Sequence, residues 1–206
     1  YRAVPSGGYT KALAHAARTD IGEGDIPPES LGEGFFPYTP YRRDPRMEDL
    51  AKATNSVQKA LDSGEYAGAI WLEGSYNVAE TAYWLNLLID TPLPISGNAS
   101  QRAHGSVGND GDQNIVDSVN YILSGIWADD EGKDRFGAVL LQDEQIFASR
   151  QVEKRDARPG GYEPNGGHGG ILGTIGPPVT IWFQPTTRHT WNSAVNLNRI
   201  PSTVPG

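Results

Sequence analysis

Short apolar segments alternate with amphipathic segments through the middle of this 206-residue sequence, and this alternation constrains the fold most. Apolar runs bounded by turn residues have the length and composition of buried strands, whereas apolar residues spaced three and four apart predict helices. In chain order the pattern predicts helix 47–61, strand 67–72, helix 78–89, strand 93–95, helix 112–126 and strand 138–141. Strands that alternate with helices form parallel sheets with right-handed crossovers. The sequence therefore predicts an α/β fold, with a mostly parallel sheet and helices on both of its faces.

The pattern changes after the last of these strands. Residues 145–149 are predicted to pair with strand 138–141 as a hairpin, because two apolar runs flank a short polar turn. Gly, Pro and Asn dominate residues 159–176, and residues 179–183 are predicted to form a late strand. The fold prediction therefore includes a β-hairpin late in the chain.

Three loops follow predicted strands, at residues 73–77, 96–111 and 150–158. Ligands of open α/β sheets bind at the carboxyl ends of the strands, where such loops meet. Ser75, in the first loop, suits two roles, a nucleophile or a cap of the following helix, and capping is the commoner one. Lys154, in the third loop, is either a buried lysine that serves as a base or one of many lysines that face solvent. The residues alone favour capping for Ser75 and solvent exposure for Lys154.

The composition argues against several classes of function. The formal net charge of −8 argues against a nucleic-acid partner, because binding to phosphates requires clustered Lys and Arg. The chain has no cysteine, which excludes disulfides, thiolate catalysis and Cys-ligated zinc. The four histidines lack metal-ligand spacing, and no apolar run is long enough to cross a bilayer. We therefore expect no metal or other cofactor, and no nucleic-acid or membrane partner.

Several segments occur in a distinctive order. They are LEGSYNVAETAY at residues 72–83, SGNA at 96–99, NDGDQNI at 109–115, LQDE at 141–144, RQVEK at 150–154, GGILG at 169–173 and RHT at 188–190. In their order and spacing they resemble the bacterial-type asparaginase/glutaminase family, over roughly residues 49–201. The first segment is similar to that family's Thr-His-Gly-Thr-Asp-Thr loop and the Glu-Glu-Thr-Ala-Tyr that follows it. RQVEK is similar to the family's Arg-Asp-Val-Thr-Lys.

The resemblance implies an amidohydrolase in which a hydroxyl attacks a small linear amide and a lysine assists proton transfer. The predicted catalytic residues are Ser75, Lys154 and Tyr76, and the predicted substrate-binding residues are Thr39, Glu73, Gly74, Asn98 and Ala99. Tyr76 stands where the family has the acid that holds the substrate's α-amino group. A tyrosine has no fixed negative charge, so either Glu73 replaces it or the substrate lacks an α-amino group, and we favour the second.

The resemblance also implies a domain organisation. Residues 1–185 would form a flavodoxin-like amino-terminal α/β domain, and residues 186–206 a linker toward a smaller carboxy-terminal domain. The family's first strand carries Thr-Gly-Gly-Thr-Ile, which SGGYT at residues 6–10 resembles only superficially, since no apolar run precedes it. We therefore expect the first strand to lie upstream. The expected partners are a small amide and other copies of the chain, as a dimer or tetramer. The expected location is cytoplasmic, with a periplasmic or secreted protein as the alternative.

Two other functions are compatible with the same residues. One is a non-catalytic binding or structural subunit, for which the missing Thr motif and Tyr76 speak. The other is a lyase or isomerase that uses Lys154 as its base. The retained Ser75 and Lys154 favour hydrolysis, and the fold by itself does not decide among the three, because function depends on the site.

Overall fold

A computed structural model describes residues 47–102, 107–166 and 169–198. Thr39 and residues 6–10, to which the resemblance drew attention, lie outside the described residues. In chain order the elements are α1 (Met47–Asp62), β1 (Ala69–Leu72), α2 (Val78–Leu88), β2 (Ile95–Asn98), α3 (Gly111–Ser124), β3 (Ala138–Gln142), β4 (Gln145–Ala148), β5 (Val152–Lys154), β6 (Tyr162–Pro164), β7 (Ile171–Thr174) and β8 (Thr180–Ile181). In the described part of the chain, 3₁₀ turns lie at Ser149–Gln151 and Thr190–Asn192.

The main sheet has six strands in the order β1-β2-β3-β4-β7-β8. β1, β2 and β3 are parallel, with Ala69 beside Ile95 and Ile95 beside Ala138. The pairings of β3 with β4, β4 with β7 and β7 with β8 are antiparallel. The predicted α/β fold and its late β-hairpin are confirmed. The sheet is mixed instead of mostly parallel, because parallel pairing is confined to its first three strands. β5 and β6 form a separate antiparallel pair, which we call the β5–β6 ribbon.

Helices cover both faces of the sheet, as the sequence predicts. Successive side chains of a strand point to opposite faces. Val139 of β3 packs in one buried cluster with Tyr121 of α3, whereas Leu140 packs in another with Val78 of α2. Helices α2 and α3 therefore lie on opposite faces. α2 approaches β2 closely at Gly97, where a Cβ atom would lie 3.3 Å from that of Ala82.

The second strand differs from its prediction. It begins at Ile95, two residues later than expected, because Leu93 lies between two prolines that cannot donate to the ladder. It then continues through the polar residues Ser96 and Asn98, which are buried. Both side chains hydrogen-bond to the Ser118 Oγ of α3, each at 2.8 Å. Residues 96–98, which the sequence predicts as the start of a loop, thus belong to a buried strand. Their polar side chains are satisfied by hydrogen bonds to α3.

The glycine-rich segment contains two strands that the sequence analysis did not predict. They are β6 and β7, and β7 lies between β4 and β8 in the main sheet. The late strand predicted at 179–183 is shorter, with only Thr180 and Ile181 in the ladder. Within the described residues, no helix has the length and apolar character needed to cross a membrane.

A buried carboxyl lies at the amino end of β3. Asp134 is 1% exposed, and burial raises the pKa of its carboxyl from 3.8 to about 8. The backbone N–H groups of Phe136 and Gly137 donate to its two oxygens, and together with the nearby Arg135 they oppose this rise. The His189 Nδ1 lies 3.9 Å from the Asp134 Oδ2, and burial lowers the pKa of this imidazole. Both groups are therefore held toward their neutral forms.

Asp134 should make stability fall as the pH rises. Because its folded-state pKa is raised, its stabilising contribution is complete below about pH 4 and is lost as the pH rises through about 8. Asp134→Asn cannot ionise, so we expect its Tm to rise relative to the native protein by about 4 °C or more across this range. His189 changes the stability in the opposite direction, because a lowered pKa gives stability that is lost on acidification. Both proteins contain His189, so both should show that loss. Thermal unfolding over a pH series measures the difference. Parallel pH profiles of the two proteins would show that Asp134 does not titrate in this way.

Candidate active site

The loop that follows β1 is shaped by backbone hydrogen bonds. The Glu73 N–H donates to the Asn98 carbonyl at 3.2 Å, which extends the pairing of β1 with β2 by one residue. The Asn77 N–H then donates to the Gly74 carbonyl at 3.2 Å, so the chain turns before α2 begins. Asn77 occupies the N-cap position of α2 and makes no side-chain cap. Ser75 therefore does not cap this helix, and its hydroxyl points elsewhere.

The Ser75 hydroxyl is bonded to a lysine 79 residues away in sequence. The Lys154 Nζ donates to the Ser75 Oγ at 2.7 Å, a contact that is partly buried. Burial lowers the pKa of the Lys154 amine below 10.5, and the negative charge of Asp156 opposes this effect. The neutral form of a lysine is a base, so a lysine with a lowered pKa beside a hydroxyl can accept the proton of that hydroxyl. The structure brings together the two residues for which the sequence left two alternatives each.

Tyr76 lies on the outer side of this pair. Its side chain is 80% exposed, and the Lys154 Nζ lies 4.8 Å from the centre of its ring. A cation over an aromatic face is attracted by the ring, although the attraction is small at an exposed position. Tyr76 thus covers the Lys154 amine from the solvent side with a neutral group. No carboxylate stands at this position.

A tyrosine that the sequence analysis missed completes the cluster. The Tyr162 OH donates to the backbone carbonyl of Ser75 at 2.8 Å. Tyr162 lies on β6 directly opposite Lys154 in the β5–β6 ribbon, so one strand pair contacts both the side chain and the backbone of Ser75. Its only sequence signal was an isolated aromatic residue in a stretch rich in Gly and Pro. Pattern alone could not pair it with Lys154.

Four of the five predicted substrate-binding residues lie in the described part of the chain, and each of the four is engaged within the fold; Thr39 lies outside it. Glu73 is buried, and its Oε2 accepts a hydrogen bond from the Trp71 Nε1 at 2.8 Å. Gly74 contributes its carbonyl to the turn described above. The Asn98 amide points toward α3, and the Ala99 carbonyl accepts a hydrogen bond from the Asn114 Nδ2 at 2.8 Å. Their roles in binding a substrate stay predictions.

The second loop is held by the carboxylate of Asp110. It accepts hydrogen bonds from the N–H groups of Gln101 and Arg102 and from the Ser100 hydroxyl. The Gln101 side chain in turn donates to the Asp156 carbonyl at 3.4 Å, which connects the second loop to the third. The predicted convergence of the loops at one end of the sheet is therefore present.

A cavity of about 520 Å³ opens beside the second loop. Its walls include Arg102, Asp110, Asn114, Asp143, Glu144 and Arg158, and neither Ser75 nor Lys154 contributes to it. Ser75 and Lys154 therefore lie outside this cavity. No group of three or more His, Asp or Glu side chains in the described ranges could hold a metal ion.

Comparison with known proteins gives a consistent result. The model of the family described as the amino-terminal domain of asparaginase matches residues 43–159 of this chain. A glutaminase-asparaginase of Acinetobacter glutaminasificans is 28% identical over 159 residues, which cover 76% of this chain and 44% of that protein. An L-asparaginase of Bacillus licheniformis is 32% identical over 108 residues, which cover 52% of this chain and 32% of that protein. The chain spans less than half the length of these two relatives.

Solved structures show a similar fold. The crystal structure of a probable cytoplasmic L-asparaginase from Campylobacter jejuni matches with a TM-score of 0.64 and 21% sequence identity. The match covers 74% of this chain and 48% of that chain. At this level of identity the similarity concerns the fold.

Proposed function

Because this chain belongs to the asparaginase family, we propose that it is the amino-terminal part of an amidohydrolase that cleaves a small linear amide. The observation that carries the proposal is the 2.7 Å contact between the Lys154 Nζ and the Ser75 Oγ. The lowered pKa of this lysine supports it, because a larger neutral fraction makes the amine a better base at moderate pH.

The pair can perform both halves of an amide hydrolysis. The Ser75 Oγ attacks the amide carbonyl carbon while its proton passes to the neutral Lys154 Nζ. Lys154 then gives this proton to the amide nitrogen, and the C–N bond breaks. Ammonia departs, and the acyl group remains bound to the Ser75 Oγ as an ester. Water attacks that ester and gives a proton to Lys154. Lys154 returns the proton to the Ser75 Oγ as the carboxylic acid departs.

The surroundings of Lys154 favour a substrate without an α-amino group. Binding an ammonium group tightly requires a fixed negative charge or several acceptors close to it. Tyr76, the residue over the Lys154 amine, offers an aromatic ring instead. An α-ammonium placed there would find no fixed negative charge on residue 76. We therefore propose an amide such as succinamate, which is asparagine without its amino group.

Hydrolysis of succinamate and of L-asparagine, compared at equal concentration, tests this proposal. In the complete native protein we expect kcat/KM for succinamate to exceed that for asparagine. Tyr76→Asp supplies the missing charge. We expect it to shift the ratio of kcat/KM for succinamate to kcat/KM for asparagine toward asparagine by about 10-fold or more, the effect of one charge-assisted hydrogen bond. Ammonia release measures both rates. Taking the ratio of two substrates cancels any effect of the new carboxylate on Lys154.

Tyr76→Phe is the matched control, because it keeps the ring and adds no charge. Its ratio should equal that of the native protein. A native protein that prefers asparagine would contradict the substrate proposal and leave the hydrolysis proposal intact. Absence of ammonia release from every small amide would contradict hydrolysis itself. That outcome would favour a non-catalytic subunit of the same fold, a candidate that the neutral Tyr76 also supports.

A further inference from the structure

Two residues of the β5–β6 ribbon contact Ser75 from the same face. Lys154 and Tyr162 are direct cross-strand neighbours, so their side chains project from one side of the ribbon. The Lys154 Nζ lies 2.7 Å from the Ser75 Oγ, and the Tyr162 OH lies 2.8 Å from the Ser75 carbonyl oxygen. The serine is therefore held at its hydroxyl and at its backbone by a single small structural unit.

We propose that Tyr162 is a positioning residue, which fixes the Ser75 backbone and so keeps the Ser75 hydroxyl against Lys154. The proposal rests on the hydrolysis proposed above, because it assigns Tyr162 a part in that reaction. Tyr162 touches the carbonyl of Ser75 and contacts neither of the two atoms that exchange the proton.

Tyr162 is itself well anchored. It is 3% exposed and packs in the buried cluster that contains Val78 and Ala79 of α2 and Val152 of β5. Burial and the negative charges around it, with Glu80 first among them, raise the pKa of its phenol. The raised pKa keeps the phenol protonated, so it can donate its hydrogen bond to the Ser75 carbonyl. A fixed donor of this kind restricts the Ser75 peptide to one orientation.

Fixing the peptide matters because a serine has a single side-chain torsion with three staggered positions. With the backbone held, one of these positions places the Oγ beside Lys154. With the backbone free to rotate, the same torsion no longer does so. A displacement of about 1 Å from productive geometry can cost about 10²-fold in rate. Tyr162 should therefore act on the rate of the chemical step and leave substrate binding unchanged.

Tyr162→Phe tests this role by removing one oxygen while keeping the buried ring. We expect kcat to fall by about 10-fold or more, with KM within about twofold of the native value. Tyr121→Phe is the matched control, because Tyr121 is fully buried and its OH has no hydrogen-bond partner among the described residues. It removes the same atom from a buried tyrosine of α3 and should leave both constants unchanged. If Tyr162 had only a structural role, Tyr162→Phe would change the Tm, and kcat would not fall while KM stayed the same.

Labelling of Lys154 gives a second readout that does not depend on hydrolysis. An amine-reactive reagent modifies the neutral amine, and mass spectrometry reports the rate at Lys154. Loss of the Ser75 contact removes a stabilising acceptor from the ammonium, so Tyr162→Phe should be labelled about threefold or more faster than the native protein. Ser75→Ala shows the rate for a complete loss of that contact. This measurement remains informative even if the native protein releases no ammonia, an outcome that counts against the hydrolysis proposal alone. If Lys154 in Tyr162→Phe were labelled at the rate of the native protein, the positioning role would be wrong. It would also be wrong if the native protein hydrolysed an amide and Tyr162→Phe had the same kcat.

Discussion

Replacing Lys154 with methionine is expected to lower kcat/KM for amide hydrolysis by about 10²- to 10⁴-fold, the range that a positioned proton-transfer group contributes. Methionine keeps a long apolar stem and removes the amine that lies 2.7 Å from the Ser75 Oγ. Without it, the hydroxyl has no base and the departing nitrogen has no acid. Ammonia release from the best substrate, measured at several pH values, gives the loss.

The pH dependence adds a second expectation for this pair. Activity of the native protein should rise with pH as the Lys154 amine loses its proton, with a midpoint below 10.5 because burial lowers this pKa. The methionine variant should lack that rise. Ser75→Ala combined with Lys154→Met should lose little more activity than the more damaged single variant, since the two residues act as a unit.

Lys59→Met provides the matched control. Lys59 is an exposed lysine of α1, so its replacement removes the same charge at a distance from the site. Its kcat/KM should equal that of the native protein. If Lys154→Met retained activity within about threefold of native, the assignment of proton transfer to this residue would be wrong, because the known contribution is at least about 10²-fold.

Replacing Phe147 with alanine is expected to destabilise the protein by about 3–5 kcal/mol, the cost of truncating a buried aromatic side chain. Phe147 is 1% exposed on β4, lies opposite Leu140 of β3 and packs in the cluster that also contains Val78 and Tyr162. The variant loses the transfer free energy of the ring and leaves a cavity that the surrounding strands cannot close. Urea unfolding followed by tryptophan fluorescence gives the free energy of unfolding.

Phe183→Ala is the control for this change. Phe183 is 49% exposed and lies just after β8. The same truncation there should cost less than about 1 kcal/mol, as is usual for exposed positions. Equal losses for the two variants would show that the cluster around Phe147 is not part of the cooperative core.

Strong local patterns determined most of the fold from the sequence. The periodic apolar residues of α1, α2 and α3 gave helices close to their predicted bounds, and the short apolar runs gave β1 and β3. Each of these signals depends on residues within a few positions of one another, so it survives in any tertiary context that buries the apolar face. The loop that carries Ser75 was placed by the same patterns, and the family motifs named both Ser75 and Lys154. The segment with Lys154 was predicted as a loop but ends in strand β5, because residues 152–154 pair with β6.

Weak or polar patterns failed where a distant partner decided the outcome. Ser96 and Asn98 lie in a buried strand because Ser118 of α3 hydrogen-bonds to their side chains. The residues next to them in the sequence do not indicate this contact. β6 and β7 lie in a stretch whose Gly and Pro content suggests irregular structure, and they form because strands from elsewhere pair with them. Predictions from local sequence patterns do not take such distant partners into account.

The candidate site shows the same division. Residue patterns placed a hydroxyl and a lysine after strands of an α/β sheet, and the family resemblance paired Ser75 with Lys154. The tertiary structure supplied the contact between them across 79 residues, placed Tyr76 over the amine and added Tyr162 beneath the serine. Hydrogen bonds between side chains depend on distances of about 3 Å between distant elements. Those distances are set by how the β5–β6 ribbon packs on α2, which no local pattern of residues encodes.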